Sequence, residues 1–266
     1  GRSLAVLARQ KPSGTAELPT WIGEADALIP AMLAGAWVCD IEHDQQVLSS
    51  LSQKSYDETE DELLRFLVMQ DSPIERIENL WATKAPVDAF LHLAPRVGRK
   101  HLDLFKAALT TVFESAVASH KPPTADEPFV LRNKRDLETS HSEQLRNGLM
   151  TTLLHMAVLH KHAGFTVAGG DPQAFVDGLV RSIHGLSTNH TLMASLNQNL
   201  ALLAEASPGP FLEALERQLE GDSPSIRHIF DEHPGMLTPV TYHCGLLWAL
   251  EVIAWDAFYF QRAVLC

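Results

Sequence analysis

The chain has 266 residues, with 33 acidic side chains against 21 Lys and Arg and a formal net charge of −12. Its 45% hydrophobic content is that of a folding chain rather than a disordered one, and the acid excess excludes a phosphate-backbone binder built on clustered Lys and Arg. Three cysteines (Cys39, Cys244, Cys266) with no C-x-x-C among them form neither a disulfide framework nor a zinc cage, which fits a reducing cytoplasm.

Gly1-Arg2-Ser3 opens the chain without a charged-then-apolar leader, so no signal peptide is expected. At the other end, Phe258 to Cys266 is apolar-periodic with no cap, Gly or Pro to stop it. Both ends therefore read as cut from a longer polypeptide. The most apolar stretch, Gly245 to Phe260, carries Glu251 and Asp256 and is short for a bilayer span, so no membrane is expected.

In chain order, Ser3 to Gln10 reads as a short helix, followed by a Pro/Gly/Ser/Thr break from Lys11 to Thr20. From Trp21 to Trp37, the positions Trp21, Ala25, Leu28, Ile29, Met32 and Leu33 recur at helical spacing. Asp44 is placed to cap a second short helix through Val47, Leu48 and Leu51. A third starts near Ser55, with Leu63, Leu64 and Leu67 as its apolar stripe. Asp57, Glu58, Glu60, Asp61 and Glu62 fill its first turns, where acids suit the positive end of the helix dipole. After the breaker Asp71-Ser72-Pro73, Ile74–Glu78 and Leu80–Thr83 predict two short strands around Glu78-Asn79, and Pro86 ends the unit. Three helices and a hairpin is the order of a winged helix; Ile74 to Leu80 is also compatible with a helical turn.

The remainder reads as helical. Lys100 to His120 lines up Leu102, Phe105, Leu109, Val112, Phe113 and Val117 on one side. Lys121 to Thr139 is a polar, Pro-containing loop, long enough to be a contact or hinge. A helix from Ser140 to Ala163 follows, with Ser140 and Glu143 spaced as a capping box and Gly164 as its C-cap. Then comes a repeat. Asp171-Pro172-Gln173-Ala174-Phe175-Val176-Asp177-Gly178-Leu179-Val180-Arg181-Ser182-Ile183 aligns with Ser207-Pro208-Gly209-Pro210-Phe211-Leu212-Glu213-Ala214-Leu215-Glu216-Arg217-Gln218-Leu219, an offset of 36 residues. Each copy starts a helix with an N-cap and Pro at its first position, then presents Phe, Leu and Ile or Leu at helical spacing. One helix, His190 to Ala206, lies between the copies, and a degenerate third copy falls at Ala254 to Leu265 around Phe260. Helix pairs recurring at this period mark an α-solenoid.

Thirteen histidines raise the question of a metal. His155, His160 and His162 are close together, but no H-E-x-x-H or i, i+4 histidine pair is present and no acid completes a face, so they read as surface and helix-end residues. His228, Asp231, Glu232 and His233 precede Pro234-Gly235 and read as a capped helix end. His243 and Cys244 are adjacent on a helix and point apart, so they form no dyad. There is no G-x-S-x-G, no G-x-x-x-x-G-K-[ST] and no G-x-G-x-x-G; Gly169-Gly170-Asp171-Pro172 reads as a turn into a capped helix. A DNA-reading winged helix presents a basic recognition helix, whereas the third helix here offers Arg65 after five acids, and Arg76 and Lys84 of the wing are balanced by Glu75 and Glu78. No nucleic acid is expected.

The run Gly1 to Arg9, then Pro19-Thr20-Trp21, then Leu28 to Trp37, resembles the segment that follows the nucleotide-binding domain in large bacterial STAND-type (NACHT-like) NTPases. Gly245 to Glu251 with Ala254-Trp255 is similar to a recurring block of their repeat regions. The resemblance implies a lid-like helix and linker at 1–19, a winged-helix-like domain at 20–98 and an α-helical repeat (TPR/HEAT-like) array at 99–266. It places Arg2 and Ser3 at the lid that approaches bound nucleotide, with ATP or ADP held by an upstream NTPase domain and no cofactor in this chain itself. It also implies a role in regulation, in some relatives in antiphage defence, with a protein or the upstream NTPase domain as partner. The P-loop and the acidic magnesium-binding motif of that family are absent here, so no catalytic residue is assigned. The expectation is a mainly α, non-catalytic regulatory and sensor segment. The alternative is a stand-alone helical metal-dependent hydrolase using the histidine clusters.

Overall fold

The computed structural model describes residues 18–119, 141–232 and 241–266. The expected lid helix, the loop 121–139 and Ser140 lie outside them. The fold is mainly helical with one small three-stranded sheet, and the chain forms two compact units. The first runs to Ala108 and takes up Ser142–Phe175, which the sequence groups with the helical region 99–266; the second holds the residues from Leu109 to His141 and Val176–Cys266.

The first unit starts with a 3-10 helix, Thr20–Leu28, that leads into α1, Ile29–Ala34. The single helix expected to Trp37 stops at Gly35, whose φ of +74° reverses the chain into a strand, β1 (Ala36–Val38). This strand carries too few residues to show alternation, and its partner lies far along the chain. Next come α2 (Glu42–Ser52) and α3 (Tyr56–Leu67). In α2, Val47, Leu48 and Leu51 are buried as expected. Asp44 does not cap this helix from outside; it lies in the first turn, after Ile41. Ser55 and Glu58 close a reciprocal capping box on α3. The buried face of α3 is Thr59, Leu63 and Phe66, and Leu64 turns outward, because α3 packs between α2 and the sheet rather than along one broad surface.

The predicted hairpin is present as β2 (Ile74–Ile77) and β3 (Leu80–Thr83), joined at Glu78, which has φ +57°. Both pairings are antiparallel and β3 is central, in the order β1-β3-β2, with Trp37 opposite Trp81 and Arg76 opposite Trp81 on the other side. Pro86 begins a helix, α4 (Pro86–Leu93), rather than ending the unit, since proline at the first helical position gives up no hydrogen bond.

Helix α5 (Arg99–Ser119) buries Leu102, Phe105, Leu109, Val112 and Phe113 on one side, as its spacing predicts; the side chain of Val117, and His120, lie outside the described residues. The expected helix from Ser140 to Ala163 is two helices, α6 (Glu143–Val158) and α7 (His160–Ala163), separated at Leu159 and closed by Gly164 in the left-handed conformation. Its N-cap is Ser142, whose Oγ accepts from Leu145 N at 3.0 Å, so the Ser140–Glu143 capping box is not used. Helix α6 crosses the α1–β1 corner in the first unit. Gly148 makes that crossing possible: a Cβ there would lie 2.1 Å from Ala34 O and 2.6 Å from Ala36 N. Thr152 Oγ1 donates to Met32 O at 3.1 Å across the same seam.

Beyond Gly169-Gly170 come α8 (Pro172–Arg181), α9 (His190–Ser195), α10 (Leu200–Ala206) and α11 (Pro208–Leu219). The helix expected over His190–Ala206 is interrupted between Ser195 and Leu200, so α9 and α10 are separate. A 3-10 helix, Ser225–Phe230, is followed by α12 (His243–Ala254) and α13 (Phe260–Leu265). Both copies of the repeated sequence start a helix at proline, but Phe211 is fully buried while Phe175 is half-buried and Phe260 is 54% exposed. No helix among the described residues is long and apolar enough to cross a membrane.

Candidate protein-contact surfaces

The sheet of the first unit brings two tryptophans together. Trp37 and Trp81 are fully buried and stack at 5.7 Å with rings 3° from parallel, a pairing that contributes about 0.5–1.5 kcal/mol beyond burial alone. Each indole N–H finds a partner on α3: Trp37 Nε1 donates to Tyr56 Oη at 3.2 Å, and Trp81 Nε1 to Glu60 Oε1 at 3.1 Å. Arg76 from β2 completes the set, 3.3 Å from Glu60 Oε1 and with its guanidinium over the Trp81 ring at 5.3 Å. Burial pushes the Tyr56 hydroxyl well above its ordinary value, and burial beside Asp40 raises the Cys39 thiol. The α3 carboxylate that faces the sheet is thus consumed in tying helix to hairpin. Those that face outward, Asp57, Glu58 and Asp61, leave the exposed side of α3 acidic.

Asp44 is the one charged side chain of this unit with no solvent exposure among the described residues. Its Oδ2 accepts from Val38 N at 2.9 Å and from Ser142 Oγ at 2.5 Å, and its Oδ1 accepts from Ser142 N at 2.9 Å. Burial raises its carboxyl against the pull of these bonds and of Arg146. The sequence offers Asp44 as a cap; that it binds residues on both sides of the unit depends on a partner 98 positions away.

Arg2 and Ser3, the expected nucleotide-facing residues, and His233 lie outside the described residues. His155 is not a surface residue: it is 4% exposed against Phe90, at 5.6 Å between rings, and burial lowers its pKa to about 4. His160 Nδ1 bonds Ala157 O at 2.8 Å and His162 is exposed, so the three histidines do not converge. His228 Nδ1 pairs with Asp231 Oδ2 at 3.0 Å at the end of the 3-10 helix. His243 stacks on Phe230 at 5.3 Å while Cys244 faces solvent. Among the described residues, no group of three or more His, Cys, Asp or Glu side chains could hold a metal ion. Asp171 caps α8 through Ala174 N at 3.1 Å, as the turn sequence predicts.

The second unit ties its helices with bidentate ion pairs. Arg181 of α8 grips Glu213 of α11 with two bonds of 3.0 Å, and Arg262 of α13 grips Glu216 of α11 with two of 2.8 Å. Ser207, expected as the N-cap of α11, instead donates from Oγ to Asp177 Oδ1 on α8 at 2.7 Å. Comparison with protein-family models, curated proteins and solved structures returns no match for this chain.

Proposed function

We propose that the chain is a regulatory and sensor segment of a STAND-type NTPase, with a winged-helix module used for protein contact and a helical-repeat region that recognises a protein or holds the resting state closed. The observation that supports this reading is three helices ahead of the hairpin of a small three-stranded antiparallel sheet, combined with an acidic exposed side on the third helix. Helices α1, α2 and α3 precede a hairpin whose inner strand lies between β1 and β2. Yet α3, the counterpart of the helix that enters a major groove, exposes Asp57, Glu58 and Asp61. Phosphate contact from that face would be repulsive, most strongly at low salt, whereas a protein surface with basic side chains would be attracted.

In this reading the module packs on the nucleotide-binding domain, and its packing is the two-state element that nucleotide and sensed protein bias from opposite sides. The test is ATP turnover by the parent polypeptide. Removing residues 176–266, which leaves Ser142–Phe175 in place in the first unit, is expected to change it several-fold, and unchanged turnover would reject the regulatory role. Fluorescence anisotropy with duplex DNA at low salt should show no salt-dependent binding; a binding curve that weakens with salt would restore a DNA-reading role.

A further inference from the structure

Among the described residues of the second unit, several large apolar side chains near α12 are exposed. On α12, Leu247, Trp248 and Glu251 lie on the exposed side, and Trp255, just past the helix end, and Phe258, in the turn beyond it, are exposed as well; Trp248 is 63% exposed, Trp255 69% and Phe258 80%. The opposite side of α12, with Leu246, Ala249 and Ile253, is buried against α10. Exposed aromatic residues at this density mark interaction surfaces, and tryptophan is the residue most enriched where binding energy concentrates.

Charge narrows what the face can take. Glu251 lies on the exposed side of α12 and Asp256 follows Trp255, and among the described residues no Lys or Arg pairs with Glu251. Elsewhere in the unit, helix junctions satisfy glutamates with an arginine from the neighbouring helix, as Arg181 does for Glu213 and Arg262 for Glu216. Among the described residues, Glu251 is an exposed helix glutamate without such an arginine beside it. A second copy of this chain, with a net charge of −12, brings mainly like charge to it. An anionic lipid surface is repelled by both acids, and the nearby Arg262 is already held by Glu216.

We infer that the α12–α13 face docks an amphipathic helix of another protein, with aliphatic side chains that pack on Leu247, Trp248 and Trp255 and a Lys or Arg that meets Glu251. A helix fits because α10, α12 and α13 already pack helix on helix here, and an aliphatic-plus-basic stripe is complementary to an aromatic-plus-acidic one. This rests on the protein-recognition reading above and deepens it by naming the surface and the partner's chemistry.

The experiment is anisotropy of two fluorescein-labelled synthetic 14-residue helices, one Leu/Lys and one Leu/Glu, titrated with the full chain. The Leu/Lys helix is expected to bind saturably and the Leu/Glu helix at least ten-fold more weakly. Trp248→Ser with Trp255→Ser should weaken Leu/Lys binding about ten-fold, and a urea midpoint measured on the same variant shows that the unit still folds. Glu251→Lys, a surface change independent of those two, should invert the preference between the helices. Equal binding of both helices, or Leu/Lys binding indifferent to all three substitutions, would overturn the inference. So would a dimer abolished by the tryptophan substitutions, or tryptophan-dependent binding to phosphatidylglycerol vesicles in place of the peptide. ATP turnover by the parent reports on the regulatory reading separately, so either can fail alone.

Discussion

Asp44 and Ser142, 98 residues apart, are joined by two hydrogen bonds, of 2.9 Å to the Ser142 amide and 2.5 Å to its hydroxyl, in a site with no solvent exposure. The same carboxylate holds the amide of Val38. One acid therefore fixes the end of β1 and the start of α6 together, and the Ser142 hydroxyl serves both Asp44 and the Leu145 amide.

Removing that acceptor should be expensive. Asp44→Ala leaves two buried amides and a hydroxyl without their partner, a loss of about 2–4 kcal/mol by urea unfolding. The pH dependence has a definite sign. Burial raises the native carboxyl above its ordinary 3.8, so the native state binds the proton more tightly than the unfolded chain. Asp44 therefore adds stability as pH falls from neutral towards that value, and loses it as pH rises through the native pKa. Wild type should gain on Asp44→Asn between pH 7 and pH 4; a gap that moves the other way refutes this account.

His155 acts in the opposite direction in the same unit. Its native pKa of about 4 lies below the ordinary 6.5, so the unfolded chain takes up the proton first. Stability is present above 6.5 and is lost as pH falls from there through 4, by about 3 kcal/mol in full. His155→Leu should flatten the acid limb of a stability–pH curve measured by urea midpoints. An acid limb as steep as that of wild type would show that His155 is not the group responsible.

The helix start expected near Ser55 is closed by a capping box. Ser55 Oγ accepts from Glu58 N at 3.3 Å while Ser55 N donates to Glu58 Oε2 at 3.0 Å. Ser55→Ala should cost about 1 kcal/mol in thermal or urea stability, and Ser55→Asp much less, because an aspartate still accepts from the free amide. Equal losses in the two variants would remove the cap as the cause.

Legibility follows separation along the chain. The start of α3 near Ser55, its acids, the β2–β3 hairpin and the Gly164 stop each depend on residues within a few positions of one another, so the sequence displays them, whereas the Ser140–Glu143 capping box gives way to Ser142, which Asp44 holds. β1 reads as the end of a helix because Ala36–Val38 become a strand only by pairing with Leu80–Ala82. Asp44 reads as a cap because Ser142 is distant, and His155 as a surface residue because the Phe90 ring that covers it lies in α4. The exposed side of α12 is hidden for a related reason. Its composition matches a buried helix, and only the packing of α10 shows which side is covered.

The crossing of α6 over the α1–β1 corner gives the sharpest mutational contrast. Gly148→Ala puts a methyl group 2.1 Å from Ala34 O, a backbone atom that cannot swing aside, and Gly35→Ala meets Gly148 Cα at 2.7 Å with φ at +74° besides. Either helix α6 must lift off the corner or the strand β1 must shift, and both surrender packing around Trp37 and Thr152. Each change should cost about 3 kcal/mol or more, read as a collapsed urea midpoint or insoluble expression. Gly178, in α8, faces open space, with nothing within 4 Å of where a Cβ would stand, so Gly178→Ala should instead add about 0.5–1 kcal/mol through helix propensity. If Gly148→Ala kept the wild-type midpoint, the close approach of α6 to Gly35 would be wrong, and with it the seam that places Ser142 against Asp44.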